Sequence, residues 1–109
     1  MSPLVSHIYE LGLVEAEAIG QTECFTAALQ FARTEGIVPA PEPTHALAAA
    51  IREANKAKET GEETVILTAL CGHGHLDLAA YESFLAGDMV DYDLSDDAIA
   101  AAMATVPQF

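Results

Sequence analysis

The hydrophobic and polar positions along the chain predict helices separated by two strands. Five segments carry apolar residues at the three- and four-residue spacing of an amphipathic helix. They are residues 2–12, 22–35, 43–61, 76–87 and 95–103. Residues 13–19 instead alternate between apolar and acidic, while residues 64–70 are β-branched and apolar on both faces. The second of these patterns is typical of a central strand covered by helices on both sides.

The element order predicts an α/β fold with a parallel sheet, because helices separate the two strands. Two parallel strands do not make a self-sufficient sheet, and one of these is apolar on both faces. We therefore expect residues 1–109 to form a single segment of a helix-covered, parallel-sheet domain that is incomplete alone. Residues 1–87 form its core, and residues 88–109 form an acidic connection and a last helix that Ser95 can cap.

The charge of the chain narrows the classes of partner. Four basic residues against seventeen acidic ones give a formal net charge of −13, which argues against nucleic acid and anionic membranes as partners.

Two cysteines without a signal peptide predict a reduced, cytoplasmic setting. Just over half of the residues are apolar, but many are alanine, so the core is expected to be thin and part of the apolar surface to face a partner.

Residues 71–77, CGHGHLD, hold the most concentrated candidate chemistry. If the segment is extended, Cys71, His73, His75 and Asp77 project to one side as four metal ligands. Alternatively, a glycine turn connects the end of a strand to a helix, where α/β sheets bind their ligands. Structural zinc sites usually combine ligand pairs from two segments, and no second pair lies nearby, so the pattern argues against a metal site. A third interpretation is a tight turn with capping histidines and no ligand, and the residues alone slightly favour this one.

Other reactive side chains are less concentrated. Glu42 lies between prolines at a predicted helix start, where the helix dipole favours a carboxylate, and His45 lies one turn further on. Cys24 falls on an apolar helix face and is predicted to be core. Lys56 and Lys58 lie on the polar end of a helix, so neither has the desolvated pocket that a Schiff-base lysine needs.

Two motifs together resemble the carboxyl-terminal part of tryptophan synthase beta chains. They are FARTEGIVPAPEPTHAL, residues 31–47, and VILTALCGHGHLDLAAYESFLAG, residues 65–87. The chain is closer to the second, stand-alone-type subgroup, and the resemblance covers about residues 2–87. It implies the type II pyridoxal-phosphate fold and a β-replacement reaction that joins activated serine to indole.

The resemblance also implies roles for five residues. Glu42 matches the glutamate beside the cofactor ring, and Cys71 falls where the family usually has a serine facing the pyridine nitrogen. Gly72 and Gly74 match the family's turn, and His73 replaces the arginine of the conventional chain. A thiol is a weaker donor than a hydroxyl, so the ring nitrogen is expected to be held loosely and unprotonated.

The Schiff-base lysine and the phosphate-binding loop of the family are not found in this sequence. The resemblance therefore predicts a subunit or fragment of a split enzyme, inactive alone. An amino-terminal partner chain would bind pyridoxal phosphate covalently, and two such pairs would form a dimer. Serine and O-phosphoserine both stay open as substrate. The alternative is a non-catalytic interaction module that kept the fold and lost cofactor binding.

Overall fold

The computed structural model describes residues 2–106 and contains five α-helices. They are α1 Pro3–Glu10, α2 Gln21–Glu35, α3 Pro41–Thr60, α4 Leu78–Ala86 and α5 Asp96–Met103. A 3₁₀ turn, Gly74–Leu76, precedes α4. All five predicted helices are confirmed. The predicted acidic connection and last helix, residues 88–109, extend beyond the described residues. Within residues 2–106, no helix combines the length and apolar character needed to cross a membrane.

The helix ends follow the local sequence signals. Gly36 and Gly61 have φ angles of 71° and 73° and end α2 and α3 in the left-handed conformation that glycine adopts readily. The Ser95 hydroxyl accepts a hydrogen bond from the Ala98 amide at 3.3 Å, which confirms the predicted cap of α5. Helix α3 begins at Pro41, two residues earlier than the predicted start at residue 43, because Pro41 also suits the first position of a helix.

The predicted parallel sheet is absent from the described part of the chain. Neither residues 13–19 nor residues 64–70 form a strand, and the sole β pairing within residues 2–106 is one antiparallel bridge between Pro39 and His73. A strand exists only when a neighbouring strand pairs with its backbone N–H and C=O groups. Within residues 2–106, the two predicted strand segments have no neighbouring strand to pair with.

Helix α2 lies at the centre of the core. Phe25 packs edge-on against Tyr81 of α4 at 5.0 Å between ring centroids and stacks on Phe84 at 5.6 Å. On its other side, Ala27 packs with Leu47 and the neighbouring alanine of α3. Within residues 2–106 the core is therefore two small clusters rather than one continuous interior. Their small size agrees with the thin core expected from the alanine-rich composition.

Arg52 connects three parts of the chain. Its guanidinium donates to both carboxylate oxygens of Glu23 on α2, at 2.8 and 2.6 Å, and to Glu17 at 3.1 Å. All three side chains are exposed to solvent to a large extent. The bidentate contact with Glu23 orients α3 relative to α2, and the single bond to Glu17 attaches residues 13–19 to α3. Ion pairs this exposed contribute little to stability.

The acidic connection after α4 is attached to the start of α2 by Asp91. Its carboxylate accepts hydrogen bonds from the Thr22 hydroxyl and from the Thr22 amide, the latter at 2.9 Å. The Gln21 side chain donates to the Val90 carbonyl at 3.1 Å. The hydrogen bond from the Thr22 side chain, followed by that from its amide, lowers the pKa of Asp91 below its usual value.

This lowered pKa predicts a loss of stability in acid. The stabilisation is fully present above the unfolded pKa of about 3.9 and is lost as the pH falls through the folded pKa, because protonation removes the charged acceptor. Replacing Asp91 with asparagine should lower the free energy of unfolding at pH 7 and flatten its decline in acid, measured by urea unfolding. Asp93→Asn, a nearby exposed carboxylate, is the control. Equal acid profiles for wild type and Asp91→Asn would contradict the assignment.

Candidate functional site

Two segments far apart in sequence form the candidate site. The Ala40 amide donates to the Gly72 carbonyl at 3.0 Å, and the Gly74 amide donates to the Val38 carbonyl at 2.8 Å. These two bonds flank the Pro39–His73 bridge, which is therefore a closely spaced, non-hydrogen-bonded pair of an antiparallel ladder. We call residues 38–40 and 72–74 together the site bridge.

The two glycines of the site bridge let its segments approach closely, Gly74 against backbone and Gly72 against a side-chain methyl group. A Cβ atom on Gly74 would lie 2.4 Å from the Pro39 carbonyl oxygen, and one on Gly72 would lie 3.0 Å from the Ala40 Cβ. The sequence pattern assigns these glycines to a turn that lets the backbone approach a ligand. The structure shows that their near neighbour within this chain is the proline-rich segment.

Tyr81 holds the site bridge against the core, and the sequence pattern gave it no functional role. Its hydroxyl donates to the Pro39 carbonyl at 2.6 Å in a buried environment. Burial, and to a smaller extent the charge of Asp77, raises the pKa of Tyr81 above its usual value. A tyrosine at an apolar helix position is a signal for such a buried bond, because its hydroxyl needs a partner.

Thr44 is a second positioning residue that sequence reasoning missed. It is fully buried, and its hydroxyl donates to the Pro41 carbonyl within the first turn of α3. Cys24 is also buried. Burial raises the pKa of its thiol, and a side-chain hydrogen bond with Thr44 offsets this in part. The prediction that Cys24 belongs to the core is confirmed.

The reactive side chains follow or precede the site bridge directly in sequence. Cys71 precedes its second segment, and Glu42 comes two residues after its first segment, as the second residue of α3. Both side chains are exposed, as is His73. Although His45 lies one helical turn beyond Glu42, the two side chains form no hydrogen bond among the described residues.

The four candidate metal ligands do not project to one side. The chain curls into the 3₁₀ turn at Gly74–Leu76, and the His73 ring accepts a weak hydrogen bond from the His75 amide at 3.4 Å. Within residues 2–106, no three histidine, cysteine, aspartate or glutamate side chains are placed to hold a metal ion. The metal alternative required residues 71–77 to be extended, and the 3₁₀ turn at Gly74–Leu76 interrupts them.

The chemistry of these residues is compatible with a contact to one side of a pyridoxal ring. Cys71 is an exposed thiol donor and Glu42 an exposed carboxylate, and the absence of a Cβ at the two glycines lets the segments of the bridge meet. The chain's four basic residues lie on α2 and α3, where Arg52 is paired with glutamates and Lys56 with Glu53. The residues of the site bridge therefore include neither an arginine or lysine to hold a phosphate nor an amine for the aldehyde.

The chain is thus a helical segment in which residues 38–40 of one motif meet residues 72–74 of the other. Comparison with known proteins identifies its relatives. Over 90 residues the chain is 60% identical to tryptophan synthase beta chain 2 of Aquifex aeolicus, which covers 83% of this chain and 21% of that protein. The beta chain 2 of Methanosarcina mazei is 56% identical over 88 residues, 81% of this chain and 20% of the relative.

A third relative, the beta chain 2 of Thermotoga maritima, is 58% identical over 80 residues, 73% of this chain and 19% of its own length. No protein-family model matches the chain. The resemblance to tryptophan synthase beta chains is confirmed, and this chain is related to a part of them. It spans about one fifth of the length of the curated relatives that it matches.

Proposed function

We propose that this chain forms one side of the pyridoxal-phosphate site of a tryptophan synthase beta-type enzyme with the type II fold. The observation that supports the proposal most directly is the site bridge, because it joins the two motifs that carry the resemblance. The Schiff-base lysine and the phosphate-binding groups would lie on an amino-terminal partner chain. A dimer of such pairs and a cytoplasmic location are further parts of this proposal.

Each site residue has a distinct task in this arrangement. Pyridoxal phosphate, when bound, supplies the electron sink for replacing the hydroxyl of serine by indole. The Cys71 thiol would donate weakly to the ring nitrogen, which would leave this nitrogen unprotonated. Glu42, at the start of α3, and the backbone of Gly72 and His73 would hold the ring. Gly74 keeps this segment against residues 38–40.

The proposal is tested by reconstitution. The probe partner is the Aquifex aeolicus beta chain 2 with the region matching this chain removed, which alone should be inactive. Mixing it with this chain and pyridoxal phosphate should give a Schiff-base absorbance and tryptophan formation from serine and indole. A stable complex that binds no cofactor would overturn the catalytic proposal and favour the non-catalytic interaction module.

Cys71 offers a graded test of the ring contact. In the reconstituted complex, Cys71→Ala should weaken cofactor binding about 2- to 10-fold, as expected for losing a neutral hydrogen bond of about 0.5–1.5 kcal/mol. Cys71→Ser should bind as well as or better than wild type, because a hydroxyl is the stronger donor. The measurement is a spectrophotometric cofactor titration, with the exposed neighbour His75→Ala as control. Identical affinities for the two Cys71 variants would exclude the contact.

A further inference from the structure

The best-buried large side chains of the described residues surround the segment that leads into Glu42. We call residues 39–42 the proline segment. Thr44, Pro39 and Cys24 are the largest side chains that are fully buried. Pro39 belongs to the proline segment, Thr44 follows it in α3, and Cys24 of α2 shares a hydrogen bond with Thr44. None of the three belongs to the two apolar clusters around α2, so the closest packing is found at this segment instead.

Three hydrogen bonds fix the backbone of the proline segment. The Tyr81 hydroxyl of α4 donates to the Pro39 carbonyl at 2.6 Å, and the Thr44 hydroxyl donates to the Pro41 carbonyl. Between these two, Ala40 is held by its amide through the site bridge. The ring of each proline also fixes its φ angle near about −65°. The proline segment therefore has little freedom to rotate.

The Glu42 carboxylate, by contrast, has no restraint of its own. Within residues 2–106 it forms no hydrogen bond or ion pair, and the side chain is exposed. Glu42 is the second residue of α3 and directly follows Pro41. Because no side-chain contact restrains the carboxylate, its position depends on the backbone of the proline segment.

We propose that Thr44 and Tyr81 are positioning residues that hold Glu42 in place for the cofactor ring. Thr44 acts on the carbonyl directly before Glu42, and Tyr81 acts two residues earlier. This inference rests on the proposed function for the ligand of Glu42. A group that is fixed before its ligand arrives loses less freedom on binding, so the two buried hydroxyls increase the affinity without touching the cofactor.

Cofactor titration of the complex with the truncated Aquifex aeolicus beta chain 2 measures this effect. Thr44→Val removes the hydroxyl and nearly keeps the side-chain volume. It should weaken pyridoxal-phosphate binding about 2- to 10-fold, the size expected when one side chain must be ordered on binding. Tyr81→Phe should weaken binding to a similar extent, and it decides the test if Thr44→Val does not fold.

Thr44→Ser is the matched control for a purely structural role. It keeps the hydroxyl but removes a methyl group from a fully buried position, so it should destabilise the chain in urea unfolding. Its affinity for the cofactor should equal that of wild type. If the affinities of Thr44→Ser and Thr44→Val fell together, the hydroxyl would have no positioning role.

A double-mutant cycle shows whether Thr44 acts through Glu42. In a Glu42→Ala background, Thr44→Val should cause no further loss of affinity, because the group that it positions is gone. In a Cys71→Ala background its effect should remain in full, since the Thr44 hydroxyl bonds to Pro41 rather than to Cys71. Equal weakening by Thr44→Val in wild type and in Glu42→Ala would overturn the proposal.

Backbone dynamics of this chain alone separate the positioning role from the proposed function. The NMR order parameter of the Glu42 amide should be about 0.85 in wild type and fall toward about 0.6 in Thr44→Val, while Ala28 of α2 keeps its value. A Glu42 amide that is mobile in wild type, or equally rigid in Thr44→Val, would overturn the positioning. If the amide behaves as expected but the complex binds no cofactor, the proposed function fails and the positioning of Glu42 stands.

Discussion

Replacing Gly74 with alanine is expected to open the site bridge and abolish cofactor binding in the reconstituted complex. The new methyl group would lie 2.4 Å from the Pro39 carbonyl oxygen and 3.0 Å from the Val38 side chain. Overpacking of this kind costs about 1–3 kcal/mol, which exceeds the gain of about 0.4–1 kcal/mol from a less flexible unfolded chain. Urea unfolding and cofactor titration measure the two effects.

Gly72 supplies a graded comparison within the same bridge. Its added Cβ would meet the Ala40 methyl group at 3.0 Å rather than a backbone carbonyl, so Gly72→Ala should cost less than Gly74→Ala. Adding Ala40→Gly to Gly72→Ala removes the clashing methyl and should restore cofactor binding in part. If Gly74→Ala bound cofactor as well as wild type, the bridge would have no part in forming the site.

Removing the hydroxyl of Tyr81 is expected to destabilise the chain by about 1–3 kcal/mol, because Tyr81→Phe leaves the buried Pro39 carbonyl without its donor. The phenyl ring keeps the packing against Phe25, so the loss reports the hydrogen bond rather than a cavity. Urea unfolding measures the change. Tyr92→Phe, at a tyrosine that is 87% exposed, should change the free energy of unfolding by less than about 0.5 kcal/mol.

The raised pKa of Tyr81 predicts a second signature of the same bond. Burial stabilises the protonated form, so this contribution is fully present below the unfolded tyrosine pKa of about 10 and is lost as the pH rises through the folded pKa. Wild type should therefore lose stability in alkali more steeply than Tyr81→Phe. Parallel alkaline profiles for the two proteins would show that the hydroxyl is not buried in the folded chain.

The helices were predictable because their signals are local. Gly36 and Gly61 stop α2 and α3 where the sequence indicates, and Ser95 caps α5 through a bond to an amide three residues away. The start of α3 shifted to Pro41 because two nearby prolines both satisfy the first position of a helix. Each of these helix boundaries depends on residues that lie within one helical turn of each other.

The candidate site was predictable in its residue types but not in its arrangement. The resemblance placed Glu42 and Cys71 beside one ligand, and their roles stay predictions. Nothing in the spacing of the sequence indicated that Gly74 approaches the Pro39 carbonyl or that Tyr81 donates to it, because these contacts join residues 35 to 42 positions apart. The metal alternative depended on an extended segment, and the 3₁₀ turn removed that condition.

The sequence by itself determined the helices, most of their ends and the acidic surface. It also determined that residues 64–70 have the pattern of a strand. All of these features depend on neighbours along the chain. Only the tertiary structure decided that residues 64–70 remain unpaired here, that residues 38–40 meet residues 72–74, and that Tyr81 holds this bridge to the core. A strand is the one element whose backbone hydrogen bonds all lie outside itself. Its pattern can therefore be read from one chain, while its formation depends on what lies beside it.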